Sequence, residues 1–445
     1  MAESSAAMSD PRPAFIEAAT WHGQLTSAEA LRAAHPELGA DIHTAAILGD
    51  DAAVRRCLAR DPRSVSATSL PYGGDALNYL CLSKYLRLDP ARADGFVRAA
   101  TALLDAGADP NTGFWSTGQP PERETALYGA AGVAHHEALT RLLLERGADP
   151  NDEEAVYHSP ETHESGAMRA LVETGRLTAE NLALMLIRKH DWHDLDGARY
   201  LLEHGADPNL VWHRLRPALH HALARGNALE MVALLLDHGA DPTAVVGGLS
   251  GVARAAREGR GDVLDLFERR GIALALEGVD QLIAACARDD VATVRAIVAG
   301  QPALVEGLRA LGGSLLARFA GTGNPTGVRH LLDLGVDVRT PFAEGDPYFD
   351  IPADSLAIHV AAWRGRPAVV RLLIGRGSPL DAADANGRTP LALAVRACVD
   401  SYWTEQCSTE SIQALLEAGA SPAGIPVPTG YAAADALLRG SRKRV

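Results

Sequence analysis

Residues 201–209 read Leu-Leu-Glu-His-Gly-Ala-Asp-Pro-Asn, and this phrase decides the fold because the chain keeps returning to it. It recurs at 103–111 (LLDAGADPN), 143–151 (LLERGADPN) and, with one change, 235–243 (LLDHGADPT). Looser copies stand at 331–338 (LLDLGVDV) and 415–422 (LLEAGASP). The Leu pair is the apolar stripe of a helix. The Gly ends that helix by taking left-handed backbone at little steric cost, and the Pro cannot continue it. A repeated helix stop predicts a protein built by stacking units, not by enlarging one core.

Used as a ruler, the stop marks Gly107, Gly147, Gly175, Gly205, Gly239 and Gly271, in steps of 28 to 40 residues, then Gly335, Gly377 and Gly419. The gap after Gly271 is filled by a different helix ending at 301–305 (QPALV), with similar endings near His35 and Asp61. Two short helices precede each stop: 125–131 with 137–147, 217–224 with 229–239, and 354–364 with 367–377. The first helix of a pair is rich in small residues and the second in Leu or Val. A pair this short buries too little to stand alone, so its neighbours must cover it.

Asn386-Gly387-Arg388-Thr389-Pro390-Leu391, the helices at 356–362 (LAIHVAA) and 218–220 (ALH), and the GADPN endings together resemble the ankyrin repeat. The resemblance covers most of residues 41–422 and predicts an all-α solenoid of about twelve helix-turn-helix units with β-turn fingers, in one continuous stack. In that family the first helices line a concave face, the loops after GADPN project as fingers beside it, and partners dock on both. On this register residues 1–12 are a flexible N-terminus, 13–40 a capping helix pair, 41–422 the array, and 423–445 a C-terminal cap with a basic tail. Long inserts interrupt the array at 79–95, 111–123, 341–353 and 398–410. The unit ending at Gly175 is the shortest and leaves little room for a first helix.

The composition excludes several functions. A formal charge of −14 argues against a nucleic-acid footprint, which needs a basic face. Positive charge is nearly all Arg, Lys occurring only at Lys84, Lys189 and Lys443, a bias that fits a GC-rich bacterial genome. The five Cys are scattered without a CxxC pair, so neither a disulfide framework nor a thiolate zinc site is expected. The N-terminus lacks a signal-peptide pattern and no membrane span is read. A soluble, cytoplasmic protein is the expectation. There is no Walker loop, GxSxG elbow or GxGxxG turn; no cofactor is expected, and no catalytic motif marks an enzyme.

Recognition chemistry is distributed unevenly. Eleven of the 16 His lie between His135 and His238, and residues 239–329 contain no His, Trp or Tyr. The register puts Phe114, Trp115, Tyr157, His158, Trp212 and His213 on fingers, and His135, His136, His163, His190, Trp192 and His193 at helix–helix turns. Tyr348 and Phe349 fall in the 341–353 finger, and Tyr402 and Trp403 in an enlarged turn. Trp and Tyr dominate binding hot spots, which makes these inserted aromatics the candidate contacts for a protein partner. Trp363 lies inside a helix, where packing competes with binding. His190 and His193, with two residues between them and accompanied by Asp191 and Asp194, with His135 or His136 a unit or two away, suggest a metal or acid–base site. The plainer reading, exposed polar turn residues, is preferred because the family often carries His at this turn. His220 and His359 occupy a family position that ties loops together. The sequence thus predicts a protein-binding scaffold, with an enzyme or small-molecule or metal site within residues 111–238 as the alternative.

Overall fold

The computed structural model describes residues 10–211, 216–401 and 408–442. Trp212, His213, Tyr402 and Trp403 lie outside the described residues. The chain is 57% helix, and the strands among the described residues are two or three residues long, which makes the architecture all-α. It divides into two compact units, Met1–Leu215 and Arg216–Val445.

The repeated phrase works as a helix stop in both units. All nine marker glycines adopt positive φ, 94° at Gly205. The residue after the glycine closes the end by donating its N–H to the first Leu of the phrase: Ala206 to Leu201 at 3.0 Å and Ala148 to Leu143 at 2.9 Å. The final Asn then ties one unit to the next. Asn111 donates to the Gly147 carbonyl and accepts from the Asp149 N–H (3.2 and 2.9 Å), and Asn151 does the same with Arg176 and Thr178 (3.0 and 2.9 Å). Helix starts are set by side-chain caps, Asp75, Thr125, Asp152, Thr178 and Asp194 among them.

In the first unit, the helices Ile42–Ile47, Ala76–Cys81, Ala126–Tyr128, Glu153–His158 and Ala179–Asp191 pack in series as the first-helix row. Behind them Asp51–Arg60, Ala93–Asp105, Glu137–Glu145 and Gly166–Glu173 form the second row. Leu and Ala fill the space between the rows: Leu103, Leu139, Leu143, Leu171 and Leu201 are all fully buried. The unit ending at Gly175 does have a first helix, Glu153–His158, because Asp152 caps it by accepting from the Ala155 N–H. Tyr157 and His158 are therefore helical and not on a finger. The 79–95 insert contains an additional helix, Lys84–Leu88, whose Tyr85 hydroxyl donates to Glu29 at 2.5 Å. This bond, together with the Trp21 N–H donated to the Leu82 carbonyl at 2.9 Å and the Thr20–Ser83 bridge, joins the helix pair Arg12–Ala19 and Leu25–Ala34 to the first repeats.

In the second unit the first-helix row runs through Ala218–Ala224, Gly251–Arg257, Gly312–Thr322, Ala357–Trp363 and Pro390–Ala397. Val279–Ala287 also packs on Gly251–Arg257. The irregular segment near Gln301 is a helix-to-helix junction: Val291–Gly300 ends there, and Pro302 caps a further helix, Ala303–Ala310. Asn324 secures this region by donating to the carbonyls of Gly259 (2.8 Å) and Ala287 (2.7 Å). The tail closes with helix Ala432–Arg442. No helix among the described residues is long and apolar enough to cross a membrane.

Candidate functional site: fingers and the first-helix rows

The finger at 111–125 is an antiparallel hairpin, with Gly113–Trp115 paired to Arg123–Thr125. Side chains alternate across a strand, so Phe114 and Trp115 part company. Phe114 turns inward, 4% exposed, where it stacks on Tyr72 (centroids 5.0 Å) and meets Trp21 edge-on (5.5 Å). Trp115 turns outward and is 65% exposed. Phe114 was expected on the binding surface. Instead it anchors the finger, and Trp115 alone is displayed.

Glu124 stands directly opposite Phe114 in the hairpin and is buried beside it. Among the described residues its carboxyl makes no hydrogen bond or ion pair; only its backbone carbonyl is engaged, by Asn78 at 2.9 Å. Burial, followed by repulsion from Glu154 and Glu122, raises its pKa to about 7. His158 contacts two carboxylates, Glu154 at 3.2 Å and Glu161 at 2.7 Å. Burial works against the charged ring, but the two partners outweigh it and bring its pKa up to about 9. Arg188 extends the network: it pairs with Glu161 and with Asp191 (2.5 Å), and lies 4.2 Å above the Tyr157 ring.

The His190–His193 segment is placed differently from expectation. His190 is fully buried in the last turn of helix Ala179–Asp191, and only Trp192 and His193 lie in the turn. Both neighbouring carboxylates have cationic partners. Asp191 pairs with Arg188, and Asp194 accepts from the Gly197 N–H (2.9 Å) and from buried Lys189 (2.7 Å). Lys189 meets all three of its donors' needs there, with the Thr162 carbonyl (2.7 Å) and Ser165 hydroxyl (3.1 Å) as its other acceptors. Among the described residues no group of three or more His, Cys, Asp or Glu side chains is arranged to hold a metal ion. Half-buried Trp192 packs edge-on against His163 at 6.0 Å.

His220 and His359 do tie fingers, through Nε2 contacts with the carbonyls of Ala244 (2.9 Å) and Ala382 (2.8 Å). His43 makes the same tie to Ala67 (2.7 Å).

The 341–353 finger is not a ladder but a turn closed by bridges between Phe342 and Ser355 and between Asp346 and Ile351. It folds onto its own unit. Phe349 is 3% exposed, its carbonyl accepting from the indole N–H of buried Trp363 at 2.5 Å. Tyr348 is half-buried against Arg225, whose guanidinium lies 3.6 Å from the ring centroid. Asp350 pairs with Arg388 (2.6 Å) and Arg396 (2.5 Å). Sequence reasoning passed over these arginines. A signal was present in Arg225-Gly226 and Arg364-Gly365, the same dipeptide at the same turn of two repeats.

Comparison with known proteins places two stretches of the chain. The family model described as "Ankyrin repeats (many copies)" matches residues 184–236, and that described as "Ankyrin repeat" matches 355–385. A stretch of 84 residues is 38% identical to Serine/threonine-protein kinase 12 of Arabidopsis thaliana, covering 19% of this chain and 16% of that protein. Such repeats imply a protein-interaction scaffold. Each family match contains a glycine stop, Gly205 or Gly377, and a finger-tying histidine, His220 or His359. The same stop and the same tie recur outside the matched stretches, at Gly107 and His43, and the chain belongs to the ankyrin-repeat family.

Proposed function

We propose that this protein is a cytoplasmic scaffold that holds a protein partner on the 111–125 finger, with Trp115 as the central contact. The observation that carries this reading is a large aromatic ring displayed at 65% exposure on a hairpin already fixed from behind by Phe114. An aromatic anchor on a pre-ordered loop contributes contact area while little entropy remains to be lost on binding. Tyr157, 39% exposed, adds a second ring in the same unit. A reducing compartment is supported by Cys57, Cys81 and Cys286, buried thiols that form no disulfide. The net charge of −14 favours a protein partner over nucleic acid.

The test is affinity capture by the full chain from extracts of its native cell, with Trp115→Ala alongside wild type. Val245→Asp, on the exposed hairpin Val245–Val246 of the second unit, serves as the control. Trp115→Ala is expected to weaken the captured interaction by about 2 kcal/mol or more, roughly 30-fold in affinity, while the control retains it. Equal recovery by wild type and Trp115→Ala refutes the reading.

A further inference from the structure

The 341–353 finger shows what the first-helix row of the second unit can hold. Its base lies at the Phe342–Ser355 bridge, just ahead of helix Ala357–Trp363, and its tip reaches the far end of that helix, where Trp363 and Arg364 meet Phe349. It therefore runs along the helix from one edge of the row to the other. Three consecutive residues at its tip each rest on arginine: Tyr348 on Arg225, Phe349 on Arg364, and Asp350 on Arg388 and Arg396. Arg225 and Arg364 cap the C-terminal ends of two first helices, and Arg396 lies in the last turn of a third. A strongly acidic protein has thus concentrated arginines along one edge of this row.

Arg364 is the group whose needs are unmet. It is 7% exposed, and its guanidinium lies 3.6 Å from the Phe349 ring centroid. Among the described residues it makes no hydrogen bond or ion pair, and its buried Nε has no acceptor. Burial, followed by the like charge of Arg366, presses its pKa down, yet a guanidinium starts so far above neutrality that it stays charged. Beside it is a cavity of ≈ 30 Å³, also lined by Glu258, Arg318, Asp346 and Phe349. That is room for about one water. The acids lining it are already engaged: Glu258 pairs with Arg318 at 2.6 Å, and Asp346 accepts from the Tyr348 N–H at 3.1 Å. A charged fork of donors faces an aromatic ring where a carboxylate would satisfy it better.

We propose that this arginine-lined row is a binding site for a protein segment carrying an aromatic residue followed by acidic residues, and that the finger's own Asp346-Pro347-Tyr348-Phe349-Asp350 occupies it as an internal stand-in. The finger supplies the aromatic and the final carboxylate but leaves Arg364 unsatisfied. An incoming segment with a carboxylate at that point matches the row more fully. Because the finger is tethered at both ends, it competes at an effective concentration on the order of millimolar. The resting protein is therefore mostly self-occupied. This site lies in the other unit from Trp115 and stands or falls separately from that reading.

The test uses the full chain and two fluorescent peptides: residues 345–353, and the same peptide with its Phe replaced by Glu. Loosening the finger with Tyr348→Ala and Asp350→Asn is expected to tighten peptide binding about tenfold over wild type. The Glu-containing peptide is expected to bind more tightly than the native one, and adding Arg364→Gln and Arg396→Gln should abolish the gain. If a loosened variant with wild-type circular dichroism binds no better than wild type, the proposal is overturned. It is overturned equally if binding survives loss of both arginines. Should the loosened variant not fold, hydrogen exchange on wild type decides: saturating Glu-containing peptide must accelerate exchange across 342–355, and unchanged protection refutes displacement.

Discussion

The fingers 111–125 and 341–353 hold the same place in the repeat, between a glycine stop and the next first helix, and both carry two adjacent aromatics. They use them in opposite ways. Phe114 and Trp115 sit on a ladder, where alternation sends one ring inward and the other to solvent. Tyr348 and Phe349 sit in a turn, where no alternation applies, and both rest on arginines of their own unit. Whether an aromatic doublet offers a contact or closes over its own scaffold is decided by the backbone that carries it.

The largest effects are expected where each finger is anchored. Trp363→Ala removes a buried indole and the 2.5 Å bond to the Phe349 carbonyl. Phe114→Ala removes the ring packed on Trp21 and Tyr72. Each should cost about 3–5 kcal/mol, read as lost hydrogen-exchange protection in the unit that carries the substitution. If Phe114→Ala leaves the 111–125 hairpin fully protected, the finger is held by something other than its inward ring, and the contrast between the two fingers fails at its root.

The pH responses of the two fingers should have opposite signs. Glu124, opposite Phe114, has its pKa raised from 4.5 to about 7. The folded state therefore binds that proton more tightly than the unfolded state does. The resulting stability is full below about 4.5 and is lost as pH rises through about 7. His158 adds a second step in the same direction, full below 6.5 and lost as pH rises through about 9. Asp350 behaves in reverse. Burial opposes its carboxylate, but Arg396 and Arg388 prevail and hold its pKa below 3.8, so its contribution is present above that value and lost as pH falls through the lower folded one. Hydrogen exchange compared at pH 5 and pH 8, corrected for intrinsic rates, should show the first finger loosening at the higher pH while the second does not. Glu124→Gln should flatten the first unit's loss between about 4.5 and about 7. A first finger indifferent to pH in both proteins would remove Glu124 from its support.

The scaffold shared by both fingers should respond more modestly. A Cβ at Gly205 meets nothing within 4 Å, so the cost of Gly205→Val is the backbone alone, a β-branched residue held at φ 94°. That cost is about 1–2 kcal/mol. An unchanged melting curve would mean that the helix end tolerates a different closure.

That stop was legible because all its parts are local: the Gly, the Leu whose carbonyl it closes on, and the Asn that reaches the next unit lie within nine residues. The two tying histidines read correctly although their acceptors lie 24 and 23 residues further on, because the position within the repeat itself marks the tie. Where a reading depended on contacts between distant segments, the sequence was silent. Phe114 turns inward because Trp21 and Tyr72 wait for it, and neither is near it in the chain. The arginines under the second finger come from separate segments, none of which breaks the repeat that served as the ruler. Tyr157 and His158 were placed on a finger because the unit ending at Gly175 is the shortest and leaves little room for a first helix. The Asp152 cap starts one there nonetheless.

The smallest expected change in stability belongs to the residue with the largest proposed role. Trp115 is 65% exposed, and the hairpin beneath it is fixed by Phe114 and by the ladder from Gly113 to Thr125. Removing an exposed ring should alter stability by less than about 0.5 kcal/mol. In contrast, Tyr348→Ala should measurably loosen its finger, because the Tyr348 ring is seated on Arg225. Thermal melts and exchange of the two variants, side by side, test the contrast. If Trp115→Ala destabilises the first unit as much as Tyr348→Ala loosens the second, then Trp115 packs against its own scaffold too, and the first finger displays nothing for a partner to grip.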